Sequence, residues 1–405
     1  MKVWIKYLIG IALGFAAFFI LPLGENVLST LSEFAVHFGR YALFPLVFFG
    51  TALAVFRLRT NRTLLKTSIW TFAMIFLFTF VLTSIGIVSA LLIKLPRIPI
   101  TGERMIEQQP IDIKSLVLQL VPFSAFDSLR EGIYILPIFV FAAFFGAGCS
   151  SEKEGVRVVV AFVESAARIM HNIAAFFAEW ISVGLIAVTC WWLLCARGGL
   201  SSPVFSKMFL LLLVDFLIFA GVLCPLIIRL VCKDPRPFHV LYASVAPVLA
   251  AFFSADSNFS LLVNMRHGRE SLGIRDEVNS FSFPLCSAFS RGGASLVVSV
   301  CFVSIVRSYV DLGIRAEDVF WLFTTAAAVS FSLCALPQGG ASVALTIICT
   351  MYGRGFADGF LLLRPALPFL CSFAAIFDAT SAIYATYIVA VKTKAIDHNA
   401  IKKYI

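Results

Sequence analysis

Long apolar runs separated by short polar joints set the rhythm of this chain. They cover Tyr7–Leu23, Tyr41–Phe56, Thr67–Ile93, Ile133–Gly148, Ile181–Cys195 and Met208–Cys232. Several reach or approach the ~20 residues a helix needs to cross a ~30 Å hydrocarbon core. Lipid accepts only backbones that satisfy their own hydrogen bonds, so the pattern predicts an all-α polytopic membrane protein. One connection departs from the rhythm. Ile106–Tyr134 mixes amphipathic pieces with Pro110 and Pro122, which predicts a broken helical segment.

After Lys233–Phe238 ("KDPRPF") the texture changes. His239–Arg266 starts apolar, breaks at Ser254–Ser260 ("SADSNFS") and resumes. Val319–Met351 repeats this around Ala335–Ser342 ("ALPQGGAS"). Each half is too short to cross alone, so two helical hairpins are expected, about 239–266 and 319–356, meeting from opposite sides. Between them an apolar segment is interrupted at Ser290–Ala294 ("SRGGA"), and a last span runs from about Pro365 to Val391. Non-helical backbone at membrane depth persists only inside protein or along a cavity. Three breaks in one block therefore predict a polar site near the midplane, with Asp256, Arg291 and Asp378 close by.

Composition agrees with the spans. Hydrophobic residues make up 60% and charged residues 14%, against roughly 25% charged in soluble proteins. The net charge of +9 raises nucleic-acid binding, but the basic residues sit in the wrong places for it. They gather at Lys2 and Lys6, in Arg57–Lys66, and in the tail Lys392–Tyr404. The positive-inside rule explains that distribution and places both termini in the cytoplasm of a multi-pass inner-membrane protein. The expected partner is the bilayer, with no nucleic acid. Lys2 and Lys6 ahead of an apolar run imitate a signal peptide, yet no small-x-small cleavage site follows, so a first membrane helix is expected.

The ten cysteines are scattered singly, without a CxxC pair or a Cys/His cluster, so neither zinc nor a redox motif is indicated. His37, His171, His239, His267 and His398 mark no nucleophile–base pair. The chain reads as a non-enzyme without a cofactor, for which sodium or a proton would be the coupling ion.

Several stretches together resemble the dicarboxylate/amino acid:cation symporters, the glutamate transporter homologues. Leu43–Gly50 ("LFPLVFFG") is similar to the second-helix signature, and Leu120–Gly146 to the Pro-rich fourth segment with its following helix. Ser260–Arg266 ("SLLVNMR") resembles the end of the first hairpin. Ala335–Ala341 ("ALPQGGA") resembles the tip of the second, and Ala385–Thr393 ("ATYIVAVKT") the close of the last helix. The resemblance implies eight transmembrane segments, two re-entrant hairpins and a homotrimer. It implies elevator-type alternating access for an amino acid or small dicarboxylate. It also implies a division of labour. Residues 1–66 and 101–202 would supply scaffold helices; 67–100 and 203–391 would form the transport domain; 392–405 would be a cytoplasmic tail.

The departures fall on the residues that carry the family's chemistry. Its seventh helix reads Asn-Met-Asp-Gly-Thr, where this chain has Ser290, Arg291, Gly292, Gly293 and Ala294. Aligned back from the last helix, Ala374 and Cys371 replace the Arg and Asp that bind substrate. Asp378 and Ala382 stand where an Asn and an Asp bind sodium. The resemblance thus assigns substrate contact to Asp256, Ser257, Asn258, Arg291, Pro337, Gln338, Gly339, Cys371 and Asp378. It assigns cation-site positions to Thr83, Ser84, Ser290, Arg291, Gly292, Asp378 and Ala382. Arg291 carries three readings. It is a tethered substitute for sodium paired with Asp378, a ligand for the substrate's carboxylate, or an inert buried ion pair. A guanidinium at membrane depth costs at least ~2.5–3.5 kcal/mol, so each reading demands a partner. Proton-coupled or uncoupled carriage, a channel, and a protein retaining only the fold are the alternatives to sodium-driven transport.

Overall fold

The structure, a computed structural model, describes residues 2–20, 24–99, 134–151, 155–309, 315–333, 340–353 and 358–397. It also describes residues 124, 125, 127, 129, 356 and 401 singly. The first apolar run closes into α1 (Val3–Ile20). The next helix, α2 (Glu25–Arg40), lies outside the apolar runs because its exposed face mixes Glu25, Glu33 and His37 with Val27, Leu31, Phe34 and Phe38. Its buried stripe, Leu28, Ser32, Ala35, Val36 and Gly39, keeps helical spacing. Then follow α3 (Leu43–Thr60), α4 (Leu64–Leu92) and α5 (Ile135–Cys149). The expected broken segment Ile106–Tyr134 falls almost wholly outside the described residues.

The sixth helix corrects the sequence pattern. α6 runs Arg157–Leu200, 44 residues, whereas the apolar run marks only Ile181–Cys195. Ahead of that run it carries Glu164, Arg168 and Glu179, which are paired. Glu164 accepts from Arg57 at 2.8 Å and from Arg168 at 2.7 Å. Glu179 accepts from Lys6 at 2.9 Å and from Arg266 at 3.0 Å. α1 and α2 both pack along α6. Next come α7 (Pro203–Ile218), a π-helical turn Phe219–Leu223, and α8 (Cys224–Val231).

The C-terminal block is built from helices that stop short. α9 (Phe238–Ser254) and α10 (Ser257–Glu270) pack on each other as the first pair. α11 (Asp276–Phe289) and α12 (Gly292–Tyr309) form the interrupted span. α13 (Ala316–Ser332) and α14 (Gly340–Tyr352) form the second pair, and α15 (Leu367–Lys392) ends the block after a 3-10 turn, Gly359–Ala366. The breaks are tighter than the sequence suggests: Ala255–Asp256 rather than Ser254–Ser260, and Ser290–Arg291 rather than Ser290–Ala294.

Seven helices among the described residues are long and apolar enough to cross a membrane. α5, with 15 residues, represents an eighth expected segment only in part. The α11–α12 span is 94% buried over its most apolar window, against 28% for α1. The interrupted helix is therefore the axis of the molecule, while α1 lies at the rim. Around it α4 and α15 pack on α12, and α3 packs on α11.

Two polar contacts fix α4 on α12. Thr83 Oγ1 and Ser295 Oγ lie 2.6 Å apart, in the buried interior. Near the other end, Arg307 donates to the Ala90 carbonyl at 2.7 Å and the Leu91 carbonyl at 3.2 Å. Those carbonyls belong to the last turn of α4, which lacks intrahelical donors, and a cation there also meets the negative end of the helix dipole. Arg307→Met should lower stability by about 1.5–3 kcal/mol, the worth of a charged hydrogen bond. Arg307→Lys should recover part of that loss. Thermal unfolding of the detergent-solubilised protein measures both, and an unchanged midpoint in Arg307→Met would remove Arg307 from this role.

Candidate functional site

The first break forms because Ala255 adopts a left-handed conformation, φ 52°, ψ 30°, which ends α9. Asp256 then starts α10 as its N-cap, its Oδ1 accepting from Asn258 N at 2.9 Å. The second break follows Phe289. Ser290 leaves the helix at φ −80°, ψ 69°, and α12 resumes at Gly292. There α12 approaches α15 so closely that a Cβ on Gly293 would lie 2.6 Å from Phe377 Cβ and 2.8 Å from Asp378 Oδ1. Only a residue without a side chain fits.

This close approach places Asp378 over the start of α12. Its Oδ1 accepts from Gly293 N at 2.7 Å, so the carboxylate sits at the positive end of a helix dipole. Its Oδ2 lies 3.8 Å from Arg291 Nη1. The same nitrogen donates to Ser257 Oγ at 2.6 Å. Arg291 is 6% exposed and Asp378 5%, so the pair lies in the interior. One guanidinium thus links the first helical pair, the interrupted span and the last helix.

A small cavity of about 20 Å³, room for about one water molecule, opens beside this link. Its wall takes Ala255 and Ser257 from the first pair, Arg291 and Ala294 from the break, and Gly340 and Ala341 from the second pair. α15 supplies Cys371, Ala374, Ala375 and Asp378. The first turns of α10 and α12, and the described start of α14, all reach it. Helix starts carry partial positive charge, so together with Arg291 they favour an anionic group, with Asp378 as the carboxylate on the wall.

The residues singled out from sequence therefore separate. Ser257, Arg291, Cys371 and Asp378 share the cavity wall. Asp256 does not: one oxygen caps α10 and the other pairs with Arg40, away from the cavity. Asn258 turns to α11, accepting from Ser287 Oγ at 3.1 Å. Pro337, Gln338 and Gly339 lie outside the described residues. Of the cation positions, Thr83 bonds Ser295, whereas Ser84 is exposed and returns its hydroxyl to the Phe80 carbonyl. Ser290 pairs with Ser381 at 2.9 Å, and Ala382 is buried without a side-chain oxygen to offer. Gly292 packs on α4, where a Cβ would lie 2.9 Å from Leu82 Cδ1.

The side-chain oxygens at the break are engaged, Asp378 by Gly293 N and Arg291 and Ser290 by Ser381, and the guanidinium among them repels a second cation. No cluster of three or more metal-ligating side chains occurs among the described residues. Sequence reading gave no site role to Arg40 or to the small wall residues Ala255, Ala294, Gly340, Ala341 and Ala375. Arg40 could have been found by the argument that exposed Arg291, as an arginine between the apolar face of α2 and the run from Tyr41.

A helical membrane protein whose broken helices meet at a buried polar cavity has the build in which secondary transporters place their binding sites. This chain belongs to the sodium:dicarboxylate symporter family, whose family model matches residues 2–392. It is 29% identical over 217 residues to the proton/glutamate-aspartate symporter of Escherichia coli K12, covering 52% of this chain and 47% of that protein. It is 24% identical over 246 residues to the serine/threonine transporter SstT of Acinetobacter baumannii AYE, covering 60% of this chain and 58% of that protein. With the proton/sodium-glutamate symport protein of Geobacillus stearothermophilus it shares 25% over 257 residues, covering 58% and 59%. The matched stretches span about half of these relatives' lengths.

Proposed function

We propose that this chain is a secondary transporter for an amino acid or small carboxylate, and that Arg291 takes the place of a bound cation beside Asp378. The observation that carries this reading is the placement of Arg291, between Asp378 and Ser257 on the wall of a buried cavity. A permanent guanidinium offsets the Asp378 charge without an ion having to bind and leave. The start of α12 shares that task through Gly293 N. Family membership and the relatives' names support an amino acid or dicarboxylate as cargo.

In this reading α9–α10 and α13–α14 are re-entrant hairpins that open the cavity alternately to each side. They move with α4, α7–α8, α11–α12 and α15 against α1–α3, α5 and α6. Three copies form the assembly, with both termini in the cytoplasm. The driving ion is a proton rather than sodium, because the Asp378 and Ser290 side-chain oxygens are already engaged and Arg291 stands beside them.

A second reading has its own support. The Arg291–Asp378 separation of 3.8 Å is long for an ion pair that has closed completely, and Arg291 faces the cavity. A substrate carboxylate could then bind the guanidinium directly. Uptake of L-glutamate and L-serine into proteoliposomes separates the readings. Under the first, imposing a sodium gradient leaves uptake unchanged while a proton gradient raises it; strong sodium stimulation overturns it. Under the second, Arg291→Lys weakens apparent affinity by about tenfold, the scale of one charged hydrogen bond, without creating cation dependence. Unchanged affinity in that variant removes the second reading.

A further inference from the structure

The tip of the first helical pair is held from outside the C-terminal block. Asp256 is 1% exposed and sits where α9 gives way to α10. Its carboxylate is divided between two tasks. Oδ1 caps α10 through Asn258 N, and Oδ2 forms an ion pair with Nη2 of Arg40, the last residue of α2. Beside that pair Gly39 lets the ring of Phe259 lie against the α2 backbone, closer than any other residue at position 39 would permit. Ser257, the next residue after Asp256, accepts from Arg291 at 2.6 Å. A chain of charged and polar contacts therefore runs from α2 through the hairpin tip into the cavity.

The other end of α10 is tied differently. Arg266 donates to Glu179 at 3.0 Å and to the Ala175 carbonyl at 3.0 Å, both on α6. Glu179 is 44% exposed, whereas the Asp256 side chain is fully buried. Screening weakens the first contact far more than the second. The two ties have similar chemistry, but only the one at the tip adjoins the cavity.

We propose that Arg40 is a positioning residue for the pocket, fixing the tip of the first helical pair on α2 so that Ser257 stays on Arg291. The functional sense rests on the transport reading above, in which α2 belongs to the static part and α10 to the moving part. The Arg40–Asp256 pair then latches the arrangement seen here and must separate each time the tip leaves α2. Asp256 serves the pocket through this contact and makes none with cargo.

Removing the latch without breaking the cap requires a paired change. In Arg40→Met/Asp256→Asn the amide oxygen still caps α10, and no charge is left buried alone. Hydrogen–deuterium exchange of the purified variant should rise about tenfold in peptides covering residues 255–262 and stay unchanged in α15. With L-glutamate or L-serine, whichever stabilises the unmodified protein, the dissociation constant should rise about tenfold. That is the effect expected when only a tenth of molecules retain the binding-competent tip. Maximal counterflow should not fall. Arg40→Lys, which keeps the pair, should restore both the affinity and the exchange protection. Arg266→Met serves as the comparison, lowering the melting temperature while leaving affinity and tip exchange as they are. Unchanged exchange at 255–262 overturns the proposal, as does an equal effect of Arg266→Met on affinity. The exchange measurement needs no transport, so a protein that moves neither amino acid would refute the transport reading and leave the positioning role of Arg40 to be judged by exchange alone.

Discussion

Arg291→Met is expected to unfold more readily than the unmodified protein by about 3–5 kcal/mol, the cost of leaving one partner of a buried ion pair uncompensated. Asp378 Oδ2 would lose the cation beside it on the cavity wall, and Ser257 Oγ would lose its donor. Uptake should fall to background. The reading of Arg291 as a built-in cation adds a sharper expectation: sodium should now stabilise the variant, because the site has lost the charge that excluded it. A cation present at a hundredfold excess over its dissociation constant would restore about 2.7 kcal/mol. Thermal unfolding in sodium chloride against choline chloride measures this. Arg291→Met/Asp378→Asn should regain most of the stability and ignore sodium, since no carboxylate remains to be neutralised. A single variant as stable as the unmodified protein and indifferent to sodium would make the pair inert.

Gly293→Val is expected to cost about 3 kcal/mol, the upper end of what overpacking a filled interior usually takes. The clash is with backbone and with Cβ atoms, which cannot swing aside. A Cβ at position 293 meets the Ala374 carbonyl and Phe377 Cβ on α15, and also Asp378 Oδ1 at 2.8 Å. Relief requires α12 and α15 to part, which lifts the carboxylate off Gly293 N and opens the Arg291 contact with it. Loss of monodisperse protein on size-exclusion chromatography, with a lowered melting temperature, is the predicted outcome. Gly293→Ala should show a smaller change in the same direction. Wild-type behaviour of the valine variant would mean that the two helices are not clamped at this point.

Much of this arrangement was legible in the residues, and the rest was hidden for identifiable reasons. The breaks at Ala255–Asp256 and Ser290–Arg291 could be read because polar residues and glycines interrupt otherwise apolar segments, where lipid tolerates no loose backbone. Their convergence on one cavity followed from the same constraint. α2 was invisible to a search for apolar runs because Glu25, Glu33, His37 and Arg40 lower its hydrophobicity, although its buried stripe is regular. The front part of α6 was hidden likewise: Arg168 pairs with Glu164 one turn away on the same helix, but Lys6, Arg57 and Arg266 reach its carboxylates from places no periodicity reveals. Asp256 shows the limit most clearly. Its place at the break between α9 and α10 was legible, but which way a carboxylate points depends on a partner more than two hundred residues earlier in the chain. Ser84 shows a second limit: adjacent hydroxyls on one helix point in different directions, so Thr83 meets α12 and Ser84 does not.

The length of α6 bears on how the molecule sits in its surroundings. Forty-four residues rise about 66 Å at 1.5 Å each. Even at a lean of 40°, a ~30 Å oily slab hides only about 39 Å of such a rod. Some 27 Å of its length is therefore more than the slab can hide. That excess is not free-standing, because the front half packs on α3 through Val163 and Ala167 and pairs Glu164 with Arg57.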